Sequence, residues 1–103
     1  MRLVFLGLSI TSSWGNGHAT TYRALLKALA ARGHSISFLE RDVRWYAQNR
    51  DLPDPDFCHV HLYRDLADLK RSCSRLVAGA DAVIVGSFVP DGVAVRSWAC
   101  ATA

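Results

Sequence analysis

Apolar residues in this chain fall into short runs separated by stretches of helical period. Leu3 to Leu8 is almost continuously apolar, as in a strand covered on both faces of a parallel sheet. A small-residue loop, Ser9 to Gly17, follows. The segment HATTYRALLKALAAR then sets Tyr22, Leu25, Leu26 and Leu29 on one helical stripe, and Gly33 suits a left-handed stop. Ser35 to Glu40 alternates and is rich in β-formers, which completes a right-handed strand–helix–strand unit. Next, RDVRWYAQN (41–49) predicts one short helical turn and DLPDPD (51–56) a loop. Cys58 to Leu62 reads as a short strand near the sheet edge. Asp65 reads as the N-cap of a helix carrying Leu66, Leu69, Cys73, Leu76 and Val77, and Ala82 to Phe88 as a second fully apolar strand. Val89-Pro90-Asp91-Gly92 turns the chain into a last helix.

This alternation predicts one α/β domain over residues 1–103. Its expected form is a Rossmann-like, doubly wound parallel sheet of about four strands in the order 3-2-1-4, with the switch point between the first and fourth. The loops Ser9–Gly17 and Ser87–Gly92 then line one crevice at the carboxyl ends of the strands, where open α/β sheets bind ligands. A fourth strand apolar on both faces makes a bare edge, and the last helix lacks a capping signal. Both features predict an incomplete N-terminal domain, poorly soluble when expressed alone.

Half of the residues are hydrophobic, enough for a core. The net charge of +3 is spread along the sequence rather than gathered into a basic stripe, so no nucleic-acid partner is expected. Cys58, Cys73 and Cys100 are odd in number and widely spaced, which suggests neither a disulfide framework nor a thiolate cluster and predicts a cytoplasmic setting. The opening MRLVFLGLSI lacks a small-residue cleavage site, and no apolar run has the length of a membrane span.

The crevice holds the residues able to do chemistry. Gly15 and Gly17 permit a tight turn into the helix, and nothing more is required of them. They also partly match a dinucleotide fingerprint, in which Glu40, about twenty residues on, takes the place of the ribose-binding carboxylate. His18 lies in the first helical turn, where the positive dipole end disfavours imidazolium. A neutral ring there suits a general base, or simply hydrogen-bonds the loop. Trp14, Trp45 and Tyr46 offer flat faces to a sugar ring; for Trp45 and Tyr46, covering the core beneath the loop is the favoured reading. Arg41 and Arg44 suit a phosphate, or surface ion pairs with Glu40 and Asp42, the commoner arrangement. His59 and His61 share a strand face but have no third ligand at suitable spacing, so no metal site is expected. Ser87 and Asp91 flank the second loop, Asp91 in a position to cap the last helix.

The stretches FLGLSITSSWGNGHATTYRALLKALAARGH, FLERDVRWYAQNRDLPDP and VIVGSFVPDGVAV resemble the N-terminal region of CgeB-like (spore-maturation-type) glycosyltransferases of the GT-B fold. The resemblance covers essentially the whole chain. Its most specific parts are W-G-N-G-H and F-L-E-R-D-x-x-W-Y. It implies two Rossmann-like domains about a cleft, a nucleotide-sugar co-substrate held mainly by a C-terminal domain beyond this sequence, and a small-molecule or glycan acceptor on this side. No metal or other cofactor is implied. Gly15, Gly17 and His18 are the positions carried over, with His18 as the base. Together with the crevice reading, the expected substrate-binding set is Trp14, Gly15, Asn16, Gly17, Glu40, Arg41, Ser87 and Asp91. A dinucleotide- or nucleotide-binding module and a non-catalytic remnant remain as alternatives.

Overall fold

A computed structural model describes residues 1–103, in which strands and helices alternate throughout. They are β1 (Arg2–Gly7), α1 (Gly17–Ala31), β2 (Ser35–Arg41), α2 (Arg44–Ala47), β3 (His59–Tyr63), α3 (Leu66–Ala78), β4 (Ala82–Val85) and α4 (Gly92–Thr102). The four strands form one parallel sheet in the order β3-β2-β1-β4, the order the hydrophobic pattern predicts.

Alternate residues of each strand supply two cores. Val4, Leu6, Leu39 and Tyr63 pack against Leu69, Cys73 and Val77 of α3 and against Val95 and Ala99 of α4. On the opposite face Leu3, Phe5, Ile36 and Phe38 pack against Leu26 of α1 and Ile10 of the β1–α1 loop. Tyr22 lies edge-on to Phe5 and Phe38, with ring centroids at 6.3 and 5.7 Å. Full burial of an aliphatic or aromatic side chain is worth about 2 kcal/mol, so these strips dominate the stability of the sheet. Leu25 departs from the expected stripe and is exposed, because Tyr22, Leu26 and Leu29 already fill the face of α1 turned to the sheet.

Helix ends follow local chemistry. Gly33 has φ 89°, and the N–H groups of Gly33 and His34 return to the carbonyls of Ala30 and Leu29, closing α1 with a Schellman arrangement. Asp65 caps α3 by accepting from the Asp68 N–H at 2.8 Å. β4 is shorter than its apolar run: Gly86 donates to the Leu6 carbonyl at 2.7 Å, after which Ser87 and Phe88 turn outward into solvent. β4 pairs only with β1, and Ile84 is 37% exposed because α1 covers β1 and β2 on that face. No helix is long and apolar enough to cross a membrane.

Candidate site at the carboxyl ends of β1 and β4

Gly7 and Gly86 lie side by side where β1 and β4 end. A Cβ on Gly7 would come within 2.7 Å of the Phe38 ring, and one on Gly86 within 2.5 Å of the Tyr22 hydroxyl oxygen and 3.3 Å of the Leu6 carbonyl. Two residues without side chains therefore let Tyr22 lie across the strand ends. Sequence reasoning did not single out either glycine. The available signal was a glycine near the end of each apolar run, FLG and VIVG.

Above these glycines the β1–α1 loop is held from below by Glu40. This carboxylate is 0% exposed. Its Oε1 accepts from the N–H groups of Ile10 at 2.7 Å and Thr11 at 3.1 Å, and its Oε2 accepts from the Thr11 hydroxyl at 2.7 Å. Arg50 stands 3.6 Å from Oε2, so the buried charge is both hydrogen-bonded and paired. Glu40 thus leaves the substrate-binding set. A ribose or acceptor would have to break three hydrogen bonds to reach it, and its chemistry is spent on shaping the loop.

A second layer ties the loop to the segment after α2. Arg23 makes a forked pair with Asp51, at 2.7 and 3.3 Å, and donates through Nε to the Ile10 carbonyl at 3.0 Å. Asp51 also accepts from the Ser13 N–H at 3.1 Å, and these donors hold its carboxyl well below the usual carboxylate range. Leu52 N–H donates to the Thr11 carbonyl at 2.9 Å, and the Ser12 hydroxyl to the Asn49 carbonyl at 2.7 Å. Arg50 and Arg23, which the sequence reading passed over, are central to this strap. Arg50, at 3.0 Å from Asp42, also takes the ion-pairing role expected of Arg41 and Arg44.

Asn16 likewise faces inward. It is nearly buried, accepts from the His18 N–H at 3.1 Å as the cap of α1, and donates to the carbonyls of Ser9 and Ser12 at 3.3 Å. This leaves no surface for a substrate. Gly15 has φ 59°, a left-handed conformation that suits glycine, and Gly17 opens the helix with free space beside it.

Trp14, His18, Ser87 and Phe88 are all exposed. Trp14 is 59% and Phe88 63% exposed. The His18 ring lies 4.8 Å from that of Phe88, centroid to centroid, at an interplanar angle of 48°. The first turn of α1, just past the β1–α1 loop, therefore touches the β4–α4 loop through the His18–Phe88 contact. His18 enters the hydrogen-bond network only through its backbone N–H, leaving both ring nitrogens to solvent.

Three further expectations change. Asp91 stands at the N-cap position of α4, but with φ 56° its side chain makes no capping bond. It accepts instead from Arg41 Nη1 at 3.0 Å, so Arg41 reaches across the sheet rather than pairing with Glu40 or Asp42. Trp45 does not cover the core: it is 54% exposed, since α2 is a single turn lying outside the strap, while Tyr46 is half-buried.

A large hollow lies elsewhere. It measures about 940 Å³ and is bordered at the amino ends of the strands by Arg2, His34, Asp54, His59, His61 and Arg75, among others. Burial and the neighbouring His59 lower the pKa of His61 there. Acidic and basic groups are interspersed around it without a converging set, so volume alone does not make it the site. A smaller hollow of about 440 Å³ adjoins the crevice and is bordered by Gly86, Ser87, Gly92 and Arg96.

No protein-family model matches the chain, and no match was found among curated proteins or solved structures.

Proposed function

We propose that this chain is the acceptor-side part of a cytoplasmic glycosyltransferase, moving sugar from a nucleotide-sugar donor held by another domain to an acceptor hydroxyl. The observation that carries the reading is the meeting of the first turn of α1 with the β4–α4 loop, the exposed His18 imidazole lying 4.8 Å from the Phe88 ring. Trp14 and Phe88 offer faces on which a sugar ring can stack. A ring nitrogen of His18 then accepts the proton of the acceptor hydroxyl as that oxygen attacks the donor. The resemblance of W-G-N-G-H and its flanks to CgeB-like enzymes supports the same assignment. The engagement of Glu40 beneath the loop weighs against dinucleotide binding, which needs a carboxylate free for ribose.

The test is transfer from a panel of nucleotide sugars to simple glycosides by the full protein that carries this domain, read as nucleoside diphosphate released. His18→Ala is expected to lower turnover by about 10²–10⁴-fold with donor affinity unchanged. Unchanged turnover would remove His18 from the mechanism. Tight NAD(H) binding without nucleotide-sugar binding would remove the transferase reading.

A further inference from the structure

The start of α4 lies on the opposite face of the sheet from α1, and its chemistry is unlike that of the other long helices. Asn16 and Asp65 close α1 and α3 with side-chain caps, whereas Asp91 turns its carboxylate away to Arg41. The first-turn N–H groups of Gly92, Val93 and Ala94 thus face outward uncapped, at the positive end of an 11-residue helix. Asp91 also adopts a left-handed conformation, unusual for a residue with a side chain.

A separate anomaly sits beside Arg41. Tyr63 pairs in register with Arg41 across β2 and β3, and its ring belongs to the core cluster of Val89 and Val95, the residues on either side of the α4 start. It is 2% exposed, and its hydroxyl is the buried side-chain polar atom without a hydrogen-bond partner. A phenylalanine would fill the same volume without stranding a donor, so folding alone does not account for the oxygen. Burial pushes this hydroxyl up to about 12, Arg41 opposing the rise and Asp91 adding to it, which places it in the field of that ion pair and keeps it protonated.

We propose that the α4 N-terminus, Arg41 and Tyr63 form a binding site for a phosphoryl oxyanion, which exchanges with the Asp91 carboxylate on Arg41. The guanidinium fork matches two phosphoryl oxygens, and the helix amides and tyrosine hydroxyl supply further donors. Both partners of the ion pair are partly exposed, at 35% for Arg41 and 55% for Asp91, so the exchange proceeds from solvent. Release of Asp91 also frees it to relax its backbone. The phosphoryl group belongs to a diphosphate or to a phosphomonoester, and the chemistry of capture is the same. The site goes beyond the transferase reading and does not require His18.

The experiment is an amide NMR titration of the chain with inorganic phosphate and with pyrophosphate at fixed ionic strength, chloride serving as the control. Saturable shifts at Gly92, Val93 and Ala94 are expected. Arg41→Gln should weaken binding about tenfold or more, and Asp91→Asn should strengthen it. Tyr63→Phe should weaken binding severalfold while leaving the urea midpoint unchanged or raised, an outcome that a purely structural tyrosine would not produce. Tighter binding of pyrophosphate identifies a diphosphate ligand, and tighter binding of a sugar monophosphate tested in parallel a phosphomonoester. Absence of saturable shifts, affinity indifferent to both Arg41→Gln and Tyr63→Phe, or equal shifts with chloride overturns the site. His18→Ala should leave phosphate affinity intact, which separates failure here from failure of the transfer reaction.

Discussion

The Glu40 carboxylate is fully buried, and three hydrogen bonds commit it to the β1–α1 loop. The end of β2 adjoins the β1–α1 loop in any sheet of this order, so an acidic residue there reaches either a ligand on the loop or the loop itself. Spacing cannot distinguish the two. The amides of Ile10 and Thr11 decide it, since they turn down onto Glu40. Glu40→Gln is therefore expected to cost about 2 kcal/mol, read as a lower urea midpoint, because an amide NH₂ replaces either the oxygen facing the Ile10 and Thr11 amides or the one facing the Thr11 hydroxyl and Arg50. Asn16 repeats the lesson: its place in W-G-N-G-H was legible, but its commitment to capping depends on where Ser9 and Ser12 present their carbonyls. At the strand ends, Gly86→Ala should destabilise by about 1 kcal/mol through contact with the Tyr22 oxygen, 2.5 Å from the added carbon. Tyr22→Phe in the same chain should recover most of that loss in a double-mutant cycle.

Helices and strands were legible where period and punctuation agreed. α1 and α3 carry Gly33 and Asp65 at their ends, and both ends fell where those residues stand. β4 was read too long, since an apolar run does not reveal where its partner β1 stops offering carbonyls. The segment after α2 was the least legible. Its proline-rich composition announces a loop, but the strap through Arg23, Asp51 and Arg50 depends on contacts between residues some 28 to 39 positions apart. Since Arg23 and Ser13 hold the Asp51 carboxyl below its ordinary value, the folded state gains stability above the usual carboxylate range and loses it as pH falls through the folded value. The urea midpoint should accordingly drop below about pH 4, more at low salt than at high, and Asp51→Asn should flatten that part of the profile.

For the assembled sheet, topology was the most legible property, because strict alternation of strands and helices leaves few right-handed arrangements. Exposure of β4 follows from the same topology. Ile84 lies in β4, a strand with one partner, and Phe88 just beyond it, so Ile84→Lys should raise the concentration at which the chain remains monodisperse by light scattering, with little change in fold by circular dichroism. Thiol accessibility gives an independent check on packing. Exposed Cys100 should react first with a disulfide reagent, while Cys58, pushed up to about 11 by burial, should lag until the chain unfolds. The strap has a further consequence, for motion. Thr11 and Leu52 share a backbone hydrogen bond, and Ile10 and Thr11 share one carboxylate, so these amides cannot open one at a time. In deuterium exchange they should be released together, as one cooperative unit, and damage at Arg50 or Asp51 should hasten the isotope uptake of residues 38 to 39 positions upstream.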